Sequence, residues 1–153
     1  MAGRVAVVTG SRSDLPLLEP CVQTLAALGI EHEVLVMSAH RHPARVQQFA
    51  AGAADAGFEV IIAAAGMAAH LPGVIAAWTP LPVIGVPIAQ SSGPGLSGLD
   101  ALLSIAQMPP GVPVACMAIN GAKNAALHAA GILALKYAGV RTALEKFRAE
   151  QST

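Results

Sequence analysis

The chain has 153 residues, a length that fits one domain over residues 1–153. Nine Lys and Arg balance nine Asp and Glu, and the basic residues are scattered, so the composition argues against a nucleic-acid-binding surface. Only 12% of the residues are charged while 54% are hydrophobic. A soluble chain of this kind has too little polar surface to cover itself, and we expect a homo-oligomer larger than a dimer.

Five short runs rich in Val or Ile recur along the chain, and they predict strands. Nearly continuous apolar runs are typical of strands buried on both faces of a parallel sheet. The runs are residues 4–10, 32–38, 59–66, 81–87 and 112–119.

Helical patterns fill the gaps between these runs. Pro43 suits the first turn of one helix, Gly29 and Gly57 are C-cap candidates, and the Pro72–Gly73 pair leaves the start of another helix open. The alternation predicts an α/β fold, a three-layer αβα sandwich of flavodoxin-like type with a five-stranded parallel sheet. The predicted helices are residues 14–29, 43–57, 68–78, 98–108, 121–139 and 140–150.

No segment predicts a membrane span or an export signal. The longest apolar region, residues 60–78, is interrupted by Gly, Pro and His, and the N-terminal stretch is too short for a signal peptide. Cys21 and Cys116 lie far apart, without metal-ligand spacing, and each falls inside an apolar element. We therefore expect a cytoplasmic protein without a structural disulfide, in which both cysteines are packing residues.

Polar residues gather where the predicted strands end, and ligands bind beyond the carboxyl ends of strands in open parallel sheets. After the first strand, GSRSD (residues 10–14) offers the hydroxyls of Ser11 and Ser13 next to a helix N-terminus, a combination that can cradle an anion. The same residues also suit a helix cap with nothing bound. The motif is neither a Walker motif nor GxGxxG, which disfavours a nucleoside triphosphate or NAD.

Two further loops carry histidines. SAHRHP (residues 38–43) contains Arg41, which is either a bidentate phosphate clamp or a surface arginine. His40 and His70 fall on neighbouring strand-end loops, where a pair of imidazoles suits proton transfer, although each is also compatible with a structural role. His42 could complete a His-x-His metal pair with His70 as a third ligand, but no carboxylate or thiolate obviously joins them.

The remaining candidates are weaker. His32 lies at the opposite edge of the sheet and His128 lies on an Ala-rich helix, so we expect both to be structural. The Gly-rich loop over residues 89–100 is either a mobile cover or a long turn. Asp100 could cap the next helix or contact a ligand.

Six short motifs follow one another along the chain. They are GSRSD (10–14), SAHR (38–41), AAHLPG (68–73), PVIGVP (82–87), LSGLDALLSIAQMP (96–109) and AKNAAL (122–127). In this order they resemble the class I N5-carboxyaminoimidazole ribonucleotide mutases, the PurE proteins of purine biosynthesis. The resemblance extends over residues 5–135, and SAHR and AAHLPG are specific in combination.

The resemblance implies an isomerase of de novo purine (IMP) biosynthesis that acts on a small ribonucleotide. In such proteins the carboxylate moves from the exocyclic nitrogen to carbon 4 of the imidazole ring, through loss and recapture of CO2. The family needs no metal, biotin or other cofactor. Its members are octamers of flavodoxin-like subunits, which agrees with the oligomer expected from composition.

The resemblance also assigns roles to individual residues. It gives proton shuttling to His40, and it gives His70 a part in positioning the carboxylate and CO2. The candidate catalytic residues are therefore His40 and His70. The candidate substrate-binding residues are Ser11 and Arg41 for the phosphate, Asp14 for the ribose hydroxyls, and their neighbours Ser13 and Ser38.

The chain departs from the family pattern at three places. His42 stands where the family usually has Thr, and Met67 stands where Gly is usual before the two alanines. The Gly-rich loop is about two residues longer than expected for the family. These departures bear on substrate fit and rate more than on the class of reaction.

Three alternatives remain open. A class II relative would carboxylate aminoimidazole ribonucleotide directly with CO2. A non-catalytic sensor would bind a purine intermediate without turnover. A metal hydrolase on the same scaffold would use the histidines as ligands.

Overall fold

The structure is a computed structural model that describes residues 3–152. The strands are β1 (Arg4–Thr9), β2 (Glu31–Val36), β3 (Val60–Gly66), β4 (Val83–Ile88) and β5 (Ala115–Cys116). The helices are α1 (Leu15–Ala27), α2 (Pro43–Gly52), α3 (Leu71–Trp78), α4 (Leu99–Ala106), α5 (Ala122–Leu133) and α6 (Ala138–Gln151), and a short 3-10 turn (Arg12–Asp14) precedes α1. Within residues 3–152, no helix combines the length and the apolar character needed to cross a membrane.

The five strands form one parallel sheet in the order β2–β1–β3–β4–β5. In this sheet Val7 of β1 pairs with Val34 of β2 on one side and with Ile62 of β3 on the other. Helices α1 and α2, which flank β2 in sequence, pack on opposite faces of the sheet. The order confirms the predicted flavodoxin-like αβα fold and creates a switch point between β1 and β3, where open α/β sheets bind ligands.

Alternate residues of the central strands pack on opposite faces. Val5 and Val7 belong to the cluster that contains α1, α5 and α6, whereas Ala6 and Val8 belong to the cluster that contains α2, α3 and α4. All four side chains are 0% exposed. Because both faces are buried, the sequence shows continuous rather than alternating hydrophobic runs.

Helix α4 lies close to the sheet at Gly85. A Cβ atom on Gly85 would lie 2.4 Å from Cγ2 of Ile105 and 3.0 Å from Cγ1 of Val114. The missing side chain therefore sets how closely α4 packs on β4. This packing holds the start of α4, and the long loop before it, at the carboxyl end of the sheet.

Most elements are somewhat shorter than the sequence patterns predict, and three differ most in length. Strand β5 pairs only over Ala115–Cys116, because Pro113, earlier in the predicted run, has no N–H to donate. Helix α5 ends at Leu133, where the N–H of Lys136 bonds the carbonyl three residues back at 3.0 Å and tightens the chain. Helix α2 ends at Gly52 rather than at residue 57.

Both cysteines are free thiols. Cys21 is 0% exposed on the inner face of α1, and burial raises the pKa of its thiol to about 12. Cys116 is half-buried, and burial raises its pKa as well. These environments disfavour the thiolate, so the packing role predicted from the sequence agrees with the structure.

Candidate active site

A cavity of about 780 Å³ opens at the carboxyl ends of β1, β2, β3 and β4. Its lining comes from the loops that follow these strands, within residues 10–14, 38–41, 65–71 and 88–100. A cavity of this size accommodates a small molecule. It lies at the sheet edge where the sequence predicts the ligand site, and it includes the β1/β3 switch point.

The loop after β1 is a capped turn whose hydroxyls line the cavity. The Oγ atom of Ser11 accepts a hydrogen bond from the N–H of Ser13 at 3.3 Å, so Ser11 caps the 3-10 turn. The two hydroxyl oxygens lie 2.8 Å apart. The cap and the anion cradle considered from the sequence are thus compatible, because both hydroxyls reach the cavity wall while one of them caps.

Ser38 and His42 organise the loop that carries Arg41. Ser38 is buried, and its Oγ accepts from the N–H of Arg41 at 3.2 Å, while its own N–H donates to Nδ1 of His42 at 3.4 Å. The Nη2 atom of Arg41 donates to the carbonyl of Gly10 at 2.8 Å and joins the first two loops. A guanidinium has five N–H donors, so Arg41 can hold this carbonyl and also bind an anion.

His40 and His70 form a hydrogen-bonded pair. Nε2 of His40 lies 2.8 Å from Nδ1 of His70, and the rings meet edge to face at 74° with centroids 4.9 Å apart. His40 lines the cavity, whereas His70 is exposed and is not part of the lining. Because one ring donates and the other accepts, a proton taken up by one ring can pass to the other.

Asp14 places a negative charge in the cavity wall. Its side chain is almost buried, with the residue 8% exposed. Oδ2 accepts from the hydroxyl of Thr9 at 3.1 Å, and Oδ1 accepts from Nε2 of Gln90 at 2.9 Å. Both donors are neutral, and within residues 3–152 no Lys or Arg forms an ion pair with this carboxylate.

Met67 narrows the cavity from the β3 side. It has a φ of +54°, in the left-handed region that non-glycine residues rarely adopt, and it is 48% exposed. Its Cγ lies 3.5 Å from the position that a Cβ would take on Gly95, in the long loop after β4. Two departures from the family pattern, Met67 and the longer loop, therefore lie against each other.

No set of metal ligands accompanies these residues. Within residues 3–152, no three His, Cys, Asp or Glu side chains are grouped so that they could hold a metal ion. The ring of His42, the residue before α2, accepts from the backbone N–H of Ser38 instead of joining His70. The metal-hydrolase alternative therefore has no ligand set in the described part of the chain.

Comparisons with known proteins agree with this geometry. A family model described as AIR carboxylase matches residues 4–153. The chain belongs to the AIR carboxylase family. A relative named N5-carboxyaminoimidazole ribonucleotide mutase in Pyrococcus abyssi is 52% identical over 95% of this chain and 82% of its own length. A relative of the same name in Pseudomonas aeruginosa is 53% identical over 99% and 93%. A crystal structure of Treponema denticola PurE matches with a TM-score of 0.87 at 26% identity, over 98% of this chain and 92% of that one.

The structure brings most of the predicted site residues of this family member to one cavity. His70 is the exception, since it reaches the cavity only through His40. Asp100 lines the cavity and lies in the first turn of α4, whose N-cap is Gly98, so it does not itself occupy the cap position. The predicted residues in the cavity lining are Ser11, Ser13, Asp14, Ser38, His40 and Arg41.

Sequence reasoning missed the two residues that hold Asp14. Thr9 is the last residue of β1 and was counted only as part of an apolar run. Gln90 was counted only as part of a Gly-rich loop, although it is a polar residue two positions after the end of β4. Its place just beyond a strand end is the signal that could have identified it.

Proposed function

We propose that this protein is an N5-carboxyaminoimidazole ribonucleotide mutase, an isomerase of de novo purine biosynthesis. The observation that carries the proposal is that relatives of that name are 52% and 53% identical to this chain over nearly its whole length. The cavity at the carboxyl ends of the strands offers a place for the substrate. The product would be 4-carboxy-5-aminoimidazole ribonucleotide. Residues 1–153 would act as one catalytic domain, and a cytoplasmic location fits the pathway.

The reaction needs one group that gives and takes a proton. The bond between the exocyclic nitrogen and the carboxylate carbon breaks, CO2 is released, and the nitrogen gains a proton. Carbon 4 of the ring then bonds to the same CO2 and loses its own proton. The proton count balances over the cycle, so a single well-placed acid and base can serve both steps.

We assign that proton transfer to His40, with His70 as its hydrogen-bonded partner. The assignment is supported by the position of His40 in the cavity lining and by the 2.8 Å contact to His70. The second imidazole would fix the orientation of the first during both steps.

The substrate's phosphate would bind between the first two loops. Arg41 bridges these loops through the carbonyl of Gly10, and the hydroxyls of Ser11 and Ser13 lie in the same part of the lining. Ser38 would act by holding the backbone of Arg41. Asp14 would accept hydrogen bonds from the ribose hydroxyls, as charged acceptors do strongly.

A trapped CO2 requires a cavity wall that excludes water. Ala65 and Ala68 line the β3 side, and Met67 contacts the loop after β4 beside them. These small and apolar groups offer no hydrogen bond to water. They support an apolar subsite next to the imidazole ring of the substrate.

We also propose a homo-octamer, as in the family. Apolar side chains on one segment support it, because Leu96 is 67% exposed and Leu99 and Leu103, one turn apart on α4, are each 48% exposed. Such exposure is typical of a surface covered by another subunit. Light scattering should give a mass eight times that of one chain, and a monomer mass at micromolar concentration would reject the oligomer.

The assay that tests the function compares two substrates, in chelator and without ATP. Freshly made N5-carboxyaminoimidazole ribonucleotide should be converted rapidly, and aminoimidazole ribonucleotide with low bicarbonate should not. Comparable use of the second substrate would indicate a class II carboxylase. Binding without turnover of either would indicate a sensor.

A matched pair of variants tests the proton shuttle. His40→Gln keeps an amide near the position of Nε2 but cannot carry a proton, so kcat should fall by about 10² to 10⁴-fold. His128→Gln, on the exposed side of α5, should leave kcat unchanged. A His40→Gln enzyme with near-normal turnover would reject the assignment.

A further inference from the structure

The side chain of Gln90 connects the loop after β4 to the loop after β1. Its Nε2 donates to Oδ1 of Asp14 at 2.9 Å and lies 3.2 Å from the carbonyl oxygen of Ser13. The residue also lines the cavity. Gln90 therefore contacts both the candidate sugar-binding carboxylate and the backbone of the serine turn beside it.

The carboxylate of Asp14 depends on such donors. A buried charge is costly unless it is hydrogen-bonded, and the side-chain donors to Asp14 are the hydroxyl of Thr9 on Oδ2 and the amide of Gln90 on Oδ1. A carboxylate has about four lone-pair positions. One donor on each oxygen leaves one acceptor position on each oxygen, which matches the two adjacent hydroxyls of a ribose.

Asn120 fixes the backbone next to Gln90. Its Oδ1 accepts from the N–H of Ala89 at 2.9 Å, and its Nδ2 donates to the carbonyl of Ala89 at 2.9 Å. Its own N–H donates to the carbonyl of Pro87 at 2.8 Å. Asn120 has a φ of +56°, a conformation that Asn tolerates better than most residues. The Asn120 side chain thus extends the hydrogen bonding of β4 past the end of β5, and it fixes the backbone position from which the Gln90 side chain extends.

From these contacts we propose that Gln90 is a positioning residue that orients Asp14 toward the ribose hydroxyls, and that Asn120 holds Gln90 in place. The inference rests on the proposed function, since it concerns the same substrate. It assigns the series of contacts from Asn120 through Ala89 and Gln90 to Asp14 to sugar recognition. Neither Gln90 nor Asn120 takes part in proton transfer.

The test separates the hydrogen-bond donor of the Gln90 side chain from the volume of that side chain. Gln90→Ala removes the donor and the bulk, whereas Gln90→Glu keeps the shape and places a second carboxylate against Asp14. KM for N5-carboxyaminoimidazole ribonucleotide should rise about tenfold in the first variant and at least as much in the second. The value of kcat should stay within about threefold in both, because the proton-transfer groups are unchanged.

Gln23 provides the matched control. Its Nε2 donates to Oε1 of Glu19 at 3.0 Å on the exposed face of α1, outside the cavity lining. Gln23→Ala and Gln23→Glu make the same chemical changes next to a carboxylate, and both should keep the KM of the unsubstituted protein. A normal KM in Gln90→Glu together with a raised KM in Gln90→Ala would overturn the proposal, because bulk alone would then matter.

Asn120→Gly tests whether Asn120 holds Gln90 in place, because glycine keeps the positive φ and removes only the side chain that bonds Ala89. KM should rise as in Gln90→Ala, and the double variant should show no further increase. With a 2′-deoxyribose substrate, most of the difference in KM between Gln90→Ala and the unsubstituted protein should disappear. Additive increases in KM in the double variant would overturn the proposal. An equal increase in KM of Gln90→Ala with the deoxy substrate would also overturn it.

The two proposals fail in different ways. An unsubstituted protein without turnover would reject the proposed function, and calorimetric binding of aminoimidazole ribonucleotide to the Gln90 variants would then decide the inference. Equal affinity in Gln90→Ala and the unsubstituted protein, or no binding by either, would overturn it. Normal turnover with an unchanged KM in Gln90→Ala would overturn the inference and leave the proposed function standing.

Discussion

Replacing His70 tests whether the second imidazole transfers protons or orients the first. His70→Ala removes the group that bonds Nε2 of His40 at 2.8 Å and leaves the cavity lining intact. His70→Asn retains a hydrogen-bonding atom near the position of Nδ1 but cannot carry a proton. The αR backbone of His70 disfavours use of the new amide as a helix cap, so it stays available to His40.

The expected loss in kcat follows from the hydrogen bond that the substitution removes. One neutral hydrogen bond contributes about 1 kcal/mol, which corresponds to about fivefold in rate. His70→Ala should therefore lower kcat by about fivefold, whereas loss of a general acid lowers it by about 10² to 10⁴-fold. If His70 only orients its partner, His70→Asn should recover kcat to within about twofold of the unsubstituted enzyme.

The assay is initial-rate turnover of N5-carboxyaminoimidazole ribonucleotide at saturating substrate. A loss above about 100-fold in both variants would refute the reasoning, because His70 would then be a proton carrier itself. An unchanged kcat in His70→Ala would also refute it, since the contact to His40 would have no part in the reaction. The unchanged variant His128→Gln serves as the control for histidine replacement elsewhere.

Three further predictions concern stability and reactivity. Gly85→Ala places a Cβ 2.4 Å from Ile105 and should lower the free energy of unfolding by about 1–3 kcal/mol, measured as a lower urea midpoint without loss of fold. Cys21, whose thiol pKa is raised to about 12, should resist maleimide labelling at pH 8 until denaturant is added, and fast labelling of the native protein would contradict its burial. The hydrogen bond from Tyr137 lowers the pKa of Glu59, so this interaction stabilises the protein above the unfolded pKa of about 4.3 and is lost as pH falls through the folded value. Tyr137→Phe should therefore reduce the acid-side slope of unfolding free energy against pH, and an unchanged slope would reject the linkage.

The fold was predictable because its signal is local and repeated. Runs such as residues 60–66 are apolar at every position, as expected for a strand with two buried faces. The ends of elements were less predictable, because they depend on neighbours. Strand β5 is short since Pro113, within the predicted run, has no N–H to donate, and α5 stops at Leu133 where the chain turns into α6.

The site was predictable to the extent that it follows strand ends. Ser11, His40 and Arg41 lie within a few residues of apolar runs, so topology alone brings them to one edge of the sheet. The role of His42 was open in the sequence, because its hydrogen bond to the backbone of Ser38 depends on the turn that the loop makes.

The sequence by itself determined the αβα architecture, the edge that carries the candidate ligand site and the residue types that reach it. Only the tertiary structure decided which side chains touch one another. Residues 14, 90 and 120 are distant in sequence, and Gln90 meets Asp14 because β1 and β4 are separated only by β3 in the sheet. His70 contacts His40 for the same reason, since a contact across strands depends on sheet order and register, which no local pattern encodes.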